Sequence, residues 1–155
     1  MRGIALLQLL IALAVAALLL GLGAASWQPL VAQFRLRVAV TAVGRTLAQA
    51  RLAALASGRT VRVCPSADRR RCVTAAAAAL LVVDERGLPL PGAAADPLPV
   101  GVRVSANRPA VTWYPWPRAA STVTLELCAV PGGRESQRVI VSQAGRVRSE
   151  RGPPC

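Results

Sequence analysis

The chain opens with a long stretch of apolar residues. Gly3–Phe34 contains no charged side chain, whereas arginines recur throughout the remainder. A helix of about 20 apolar residues is long enough to cross the roughly 30 Å hydrocarbon layer of a bilayer. Residues 4–34 are therefore predicted to form a transmembrane helix. A cleaved secretory signal is the alternative, with Arg2 as its basic start and a mature chain beginning near Ser26.

The helical pattern continues past the place where a signal peptide would be cut. Apolar residues recur at three- and four-residue spacing, with arginines between them, which is typical of an amphipathic helix. These positions are Leu36, Val40, Val43, Leu47 and Ala50. Gly58 follows where a helix would stop. Residues 35–58 are therefore predicted to be an amphipathic continuation of the same helix.

Beyond Gly58 the pattern changes to alternation of apolar and polar residues, which indicates β-strands. Breaks rich in proline and glycine separate the candidate strands. The candidates are 60–64, 80–83, 100–104, 111–114, 122–128 and 138–142. We therefore expect an α+β fold in which residues 59–155 form a β-rich globular domain, with an antiparallel sheet packed on the amphipathic part of the helix.

Composition narrows the range of functions. The 19 basic residues are all arginine and face 7 acidic residues, giving a net charge of +12, so a polyanion or an anionic membrane is the natural partner. Histidine is absent, which excludes Ser-His-Asp and Cys-His catalysis within this chain. The carboxylates are scattered along the sequence. We therefore predict that the protein is not an enzyme and needs no cofactor or metal.

Four cysteines in a chain with an export-like start predict two disulfides. Three pairings are possible. The short segment between Cys64 and Cys72 favours local closure, which leaves Cys128 to bond the C-terminal Cys155. A zinc site is the competing interpretation, but the sequence has no Cys-x-x-Cys spacing and no histidine.

Three aromatic residues stand close together at Trp113, Tyr114 and Trp116, interleaved with prolines and followed by Arg118. Such a cluster could stack on the bases of single-stranded nucleic acid. The core alternative is favoured, because in an alternating strand Trp113 would simply face the helix.

The N-terminus carries a recognisable signal. Gly3, followed directly by Ile4 and an apolar run containing Gln8, resembles the class III signal of type IV pilins and type II secretion pseudopilins. The resemblance implies that residues 1–3 are a leader, that prepilin peptidase cuts between Gly3 and Ile4, and that the new N-terminus is methylated. This chain has Ile4 where Phe is usual and Gln8 where Glu is usual. The usual glutamate is expected to pair with the N-terminal amine of a neighbouring subunit, and because Gln8 lacks that charge it should weaken packing inside a filament.

The body of the chain is similar to the GspH/FimT group of minor pilins. The similarity is carried by the strand ending in Cys64-Pro65, the second cysteine, the strand ending at Cys128, and the run 140–148 before a terminal cysteine. It implies a pilin-like fold and assembly with other major and minor pilins. It also implies a single-pass protein of the inner membrane, with its globular domain in the periplasm, which enters a pilus or pseudopilus after assembly.

Within this group the motif Gly145-Arg146-Val147-Arg148 resembles that of FimT-type pilins, where it belongs to a DNA-binding surface. Arginines two apart on a strand project to one side and can contact phosphates. Further candidate contacts are Arg134, Arg138 and Arg151, and the basic loop Arg69, Arg70 and Arg71. The alternative is a solvated edge, since arginine on an edge strand also discourages aggregation.

The sequence thus leads to one principal hypothesis and two alternatives. The principal one is a FimT- or FimU-like minor pilin that contributes to pilus assembly and binds extracellular DNA non-specifically for natural transformation. The first alternative is a GspH-type pseudopilin of the type II secretion system with a structural role toward proteins. The second is a secreted β-domain enzyme or inhibitor.

Overall fold

The fold is built on one long helix, α1 (Arg2–Ser57), which precedes every strand. The structure, a computed structural model, describes residues 2–130 and 135–155, and it describes side chains within α1 for residues 8–18 and from 27 onward. The helix continues through Pro29. It stops where Gly58 adopts a φ of 63°, the left-handed conformation that commonly ends helices.

Within the described residues the chain beyond α1 forms seven strands. They are β1 (Val61–Ser66), β2 (Ala79–Val83), β3 (Val102–Ala106), β4 (Val111–Trp113), β5 (Val123–Ala129), β6 (Gln137–Val141) and β7 (Val147–Arg151). They pair into a three-stranded sheet, β2-β1-β4, and a four-stranded sheet, β3-β5-β6-β7. All the strand pairs are antiparallel.

One face of α1 forms the centre of the hydrophobic core. Its residues at helical spacing are fully or almost fully buried: Leu36, Ala39, Val43, Leu47, Ala50 and Ala54. The inward residues of both sheets pack on this stripe, as the alternating burial of β5 illustrates. Since each strand alone is short, burial against the helix is what stabilises the sheets. The α+β architecture predicted from the sequence, a long helix packed on antiparallel sheets, is confirmed.

The sheet arrangement differs in detail from the single sheet that the alternation suggests. β4 pairs with β1, whereas β3 pairs with β5, so consecutive strands belong to different sheets. An isolated bridge pairs Ala77, two residues before β2, with Val104 of β3 and is one backbone link between the two sheets. Strand pairing between distant segments is decided by tertiary packing, which local alternation does not encode.

Two disulfides are present, as predicted. Cys64 bonds Cys72 with their Cα atoms 5.5 Å apart, and closes the loop after β1. Cys128 bonds Cys155 across a Cα distance of 5.9 Å, which ties the C-terminus to β5. This is the pairing that the short loop between Cys64 and Cys72 favoured.

In residues 8–18 and 27–34 of α1 the large apolar side chains are all exposed, including Leu18 and Phe34. Among the described residues, no stretch of helix meets the length and apolarity needed for a membrane span. The predicted transmembrane helix at 4–34 therefore stays a prediction. The predicted cleavage site falls where side chains lie outside the described residues, at Gly3 and Ile4. Gln8 lies on α1 and is exposed.

Candidate nucleic-acid interface

The motif turn, residues 142–146 between β6 and β7, carries Arg146, the first arginine of the predicted DNA-binding motif. Val141 and Val147 form the last pair of the ladder, and the Ser142 N–H donates to the Arg146 carbonyl at 2.9 Å. Gly145 donates its N–H to the Ser142 carbonyl at 2.8 Å and has a φ of 76°. Glycine is the residue that adopts this conformation without a steric penalty.

Packing imposes a second requirement at Gly145. A Cβ atom there would lie 3.2 Å from Cζ3 of Trp113 and 3.3 Å from Cβ of Ala119. Both distances are shorter than ordinary van der Waals contact between carbon atoms. The turn is therefore pressed against the buried indole of Trp113, and glycine is required for space as well as for backbone conformation.

Arg51 of α1 also contacts the turn. Its Nη1 donates to the Gly145 carbonyl at 3.3 Å, and its Cζ lies 5.9 Å from the centroid of the Trp113 ring. A guanidinium at this distance from an indole makes a cation–π contact. The C-terminal part of the long helix thus fixes the position of the motif, although Arg51 is distant from it in sequence.

The two arginines of the motif are both exposed. The Arg146 N–H donates to Oγ of Ser142 at 3.1 Å, and its side chain is free of described partners. Arg148 pairs with Ile140 in the ladder, and its side chain, 67% exposed, lies 3.9 Å from Glu150. An ion pair this exposed is weak, so Arg148 can exchange Glu150 for a phosphate.

The other predicted arginines of this hairpin are spread along it. Arg138 lies in register between Glu126 of β5 and Glu150 of β7, so its charge is partly balanced by two neighbours. Arg151 is exposed at the end of β7 away from the turn. Arg134 lies outside the described residues. The structure thus gathers Arg146 and Arg148 near the turn and does not bring Arg138 or Arg151 to it.

The predicted basic loop of Arg69, Arg70 and Arg71 forms a separate exposed patch. The Asp68 carboxylate organises it by accepting the N–H groups of Arg70 and Arg71 at 2.8 and 3.0 Å. These two hydrogen bonds, the first the stronger, hold the pKa of Asp68 below its ordinary value of 3.8.

This loop and the motif turn lie toward opposite ends of β1. The loop follows Ser66, whereas Trp113, against which the turn packs, is paired with Val61. Five residue steps separate Val61 from Ser66, which is about 17 Å along an extended strand. The disulfide loop and the motif turn are therefore two separate basic patches.

An open cleft of about 770 Å³ lies beside the motif turn and was not predicted from the sequence. Gln143 and Ala144 of the turn line one side, and Tyr114, Arg118 and Arg108 line much of the remainder. The sequence brought together the aromatic cluster and Arg118, but gave no signal linking Arg108 or Gln143 to them, because sheet pairing creates that proximity.

The three clustered aromatic residues have different environments. Trp113 is 1% exposed and packs in the core, as the alternation predicted, and Tyr114 is half-buried at the cleft. Trp116 is 85% exposed, so its ring is available to a partner. The core interpretation is correct for Trp113 and wrong for Trp116, because the prolines on both sides take Trp116 out of the strand.

Comparisons with known proteins agree with this fold. The family model described as type II transport protein GspH matches residues 39–145. No curated protein sequence matches the chain closely enough to count as a relative.

Two solved structures with similar folds come from different machines. The type IV minor pilin FimU of Pseudomonas aeruginosa has a TM-score of 0.52 at 18% identity, covering 77% of this chain and 99% of its own. A second crystal form of FimU has a TM-score of 0.54 at 17% identity, and the match covers 79% of this chain and 96% of that FimU chain. The minor pseudopilin EpsH, from the type 2 secretion system of Vibrio cholerae, has a TM-score of 0.54 at 16% identity. That match covers 75% of this chain and 96% of the EpsH chain.

At these identities the structural likeness establishes the fold. The family model spans more than half of the chain and covers the second part of α1 and the strands up to the motif turn. The chain belongs to the GspH family of minor pilins and pseudopilins.

Proposed function

We propose that this protein is a FimT-like minor pilin that contributes to pilus assembly and binds extracellular DNA non-specifically for natural transformation. The observation that carries the proposal is the motif turn. It presents exposed Arg146 and Arg148 on a backbone fixed by Gly145 and Arg51, in a chain of net charge +12.

The arrangement suits the phosphate backbone better than the bases. Arginine donates two parallel hydrogen bonds to phosphate oxygens, and a turn held by the core needs little reordering when it binds. Contacts with phosphate supply affinity without sequence information. We therefore expect binding that is insensitive to sequence and strongly weakened by salt. The proposal involves no catalytic step.

The proposal includes the route by which the protein reaches its place of action. Prepilin peptidase would cut between Gly3 and Ile4, residues 4–34 would hold the chain in the inner membrane, and the globular domain would lie in the periplasm. The strongly exposed apolar face around Phe34 would then pack on other major and minor pilins. Gln8 in place of Glu favours a scarce subunit, since it cannot supply a charge to a neighbouring amine.

A GspH-type pseudopilin with a purely structural role toward proteins is the second candidate. Two observations favour it. The family match ends at Gly145, so the motif arginines lie beyond the matched residues. Glu150 also lies beside Arg148, and Glu126 faces Arg138, which reduces the positive charge on that side of the sheet.

Chromosomal replacement in the native host distinguishes the two. We expect Arg146→Gln with Arg148→Gln to reduce DNA uptake while pili and protein secretion remain. The matched control is Arg86→Gln with Arg103→Gln, which removes the same charge from exposed positions elsewhere. Normal DNA uptake together with defective protein secretion in the motif variant would contradict the proposal and support the pseudopilin role.

A further inference from the structure

The residues that line the cleft beside the motif turn suit a ligand that has both negative charge and aromatic rings. It is lined by two exposed arginines, Arg108 and Arg118, and by the ring of Tyr114. Within the described part of the chain, no carboxylate lines it. Uncompensated arginines facing one cavity favour an anionic ligand.

Trp116, which has an exposed indole, does not line the cleft itself but directly precedes Pro117, which does. It belongs to a loop closed by the Tyr114 N–H, which donates to the Ala119 carbonyl at 3.0 Å. Pro115 and Pro117 flank it and restrict the loop backbone. A large aromatic ring that is 85% exposed on a restricted loop is available for stacking and loses little conformational freedom when it stacks.

The cleft is also continuous with the motif turn. Gln143 and Ala144 line the cleft and directly precede Gly145 and Arg146 in the same turn. A phosphate backbone held at Arg146 can therefore extend over the turn to Arg118 without leaving the protein surface.

We propose that this cleft and the adjoining Trp116 form a base-stacking site for single-stranded DNA, in which Trp116 and Tyr114 stack on bases while Arg108 and Arg118 contact the adjoining phosphates. The inference rests on the proposed function and deepens it. Aromatic rings beside a basic groove are the features that bind single strands without sequence preference. The bases of a closed duplex are stacked on one another, so the site takes unpaired strands or frayed duplex ends.

The test separates bases from phosphates. Fluorescence anisotropy of the full chain in neutral detergent micelles would compare three labelled probes of one length: a single strand, an abasic single strand and a duplex. The abasic strand keeps the phosphates and lacks the bases. We expect the single strand to bind about tenfold more tightly than the abasic strand, a stacking contribution of ordinary size.

Trp116→Ala should abolish that tenfold preference and leave duplex binding unchanged, which also shows that the variant is folded. Val100→Ala, which shortens an exposed apolar side chain outside the cleft, is the matched control and should keep the preference. Equal affinity for the single and abasic strands, or a preference that survives Trp116→Ala, would overturn the stacking site while duplex binding leaves the proposed function standing. Failure of all three probes to bind would overturn both.

Discussion

Gly145 is the position at which single-residue chemistry matters most in the candidate interface. Its φ of 76° is strained for any other residue, a Cβ atom there would lie 3.2 Å from Trp113, and its carbonyl accepts the hydrogen bond from Arg51. Arg146 follows immediately, so the direction in which that arginine points depends on the glycine. Backbone conformation, core packing and surface charge are thus linked through one residue.

Replacing Gly145 with alanine is expected to destabilise the protein. A non-glycine residue in the left-handed region costs about 1–3 kcal/mol, and the new Cβ would also press on Trp113. Chemical unfolding of the full chain in micelles would measure the loss. Gly44→Ala is the control, because that helical glycine has open space around it, and it should raise stability by about 0.5–1 kcal/mol. Equal effects of the two substitutions would contradict this account of the turn.

The hydrogen bonds that Asp68 accepts in the loop after β1 should depend on pH. Its pKa is lowered by the N–H groups of Arg70 and Arg71, so the folded state favours the carboxylate. The ionised Asp68 carboxylate therefore stabilises the folded state above its ordinary pKa of 3.8. This stabilisation is lost as the pH falls through the lower pKa that Asp68 has in the folded protein. Amide resonances of Arg70 and Arg71 should stay constant at neutral pH and shift below 3.8. A shift centred at or above that pH would show that the hydrogen bonds do not form in solution.

Among the secondary-structure elements, β7 depends most on its attachments. It is an edge strand, each of its residues is exposed, and it pairs with β6 on one side. Beyond it, the Gly152 N–H donates to the Ser136 carbonyl at 3.0 Å, and Cys155 bonds Cys128. These attachments hold Arg148 in place beside the turn.

Removal of the C-terminal disulfide should therefore loosen β7 first. For Cys128→Ala with Cys155→Ala, a sequence separation of 27 gives an expected loss of about 3–4 kcal/mol in the free energy of unfolding. Hydrogen exchange should accelerate in β7 more than in β5, which lies inside the sheet. Pro154→Ala is the control and should have little effect. Unchanged protection of β7 would mean that its ladder with β6 suffices.

The contact between α1 and the motif turn links the helix to DNA binding. Arg51→Gln removes the cation–π contact with Trp113 and weakens the hydrogen bond to Gly145, so the turn should become less fixed. We expect duplex affinity to fall several-fold while the free energy of unfolding changes by about 1 kcal/mol or less. Arg37→Gln, an exposed arginine on the same helix, controls for charge. Equal losses for both variants would indicate that Arg51 acts through charge alone.

For the whole molecule, the sequence predicts the elements better than their arrangement. The alternation in β5 and the helical stripe through Val43 and Leu47 are local patterns produced by burial, so both are readable from the chain. The short interval between two cysteines likewise favours one disulfide pairing. β7 has no apolar alternation because all its residues are exposed. Its place in the sequence is therefore indicated by the resemblance of the arginine motif and not by a hydrophobic pattern.

The division into two sheets and the cleft depend on contacts between distant residues. Arg108, Arg118 and Gln143 meet because β3 and β6 both pair with β5, which brings the loops at their ends together. The contact of Arg51 with Gly145 joins residues 94 positions apart. Such proximities follow from tertiary packing, so a single sequence shows the residues without showing that they form one surface.

The salt dependence of duplex binding shows whether the arginines of the motif contact phosphates. Titrations of the full chain in micelles with random-sequence duplex, at several salt concentrations, would compare the wild type, Arg146→Gln with Arg148→Gln, and Arg86→Gln with Arg103→Gln. Both variants lower the net charge of +12 by the same amount. If the motif arginines each contact a phosphate, the slope of log affinity against log salt should fall by about 1.8 in the motif variant and stay unchanged in the control. Equal slopes in the two variants, or no binding by the wild type at low salt, would contradict the account.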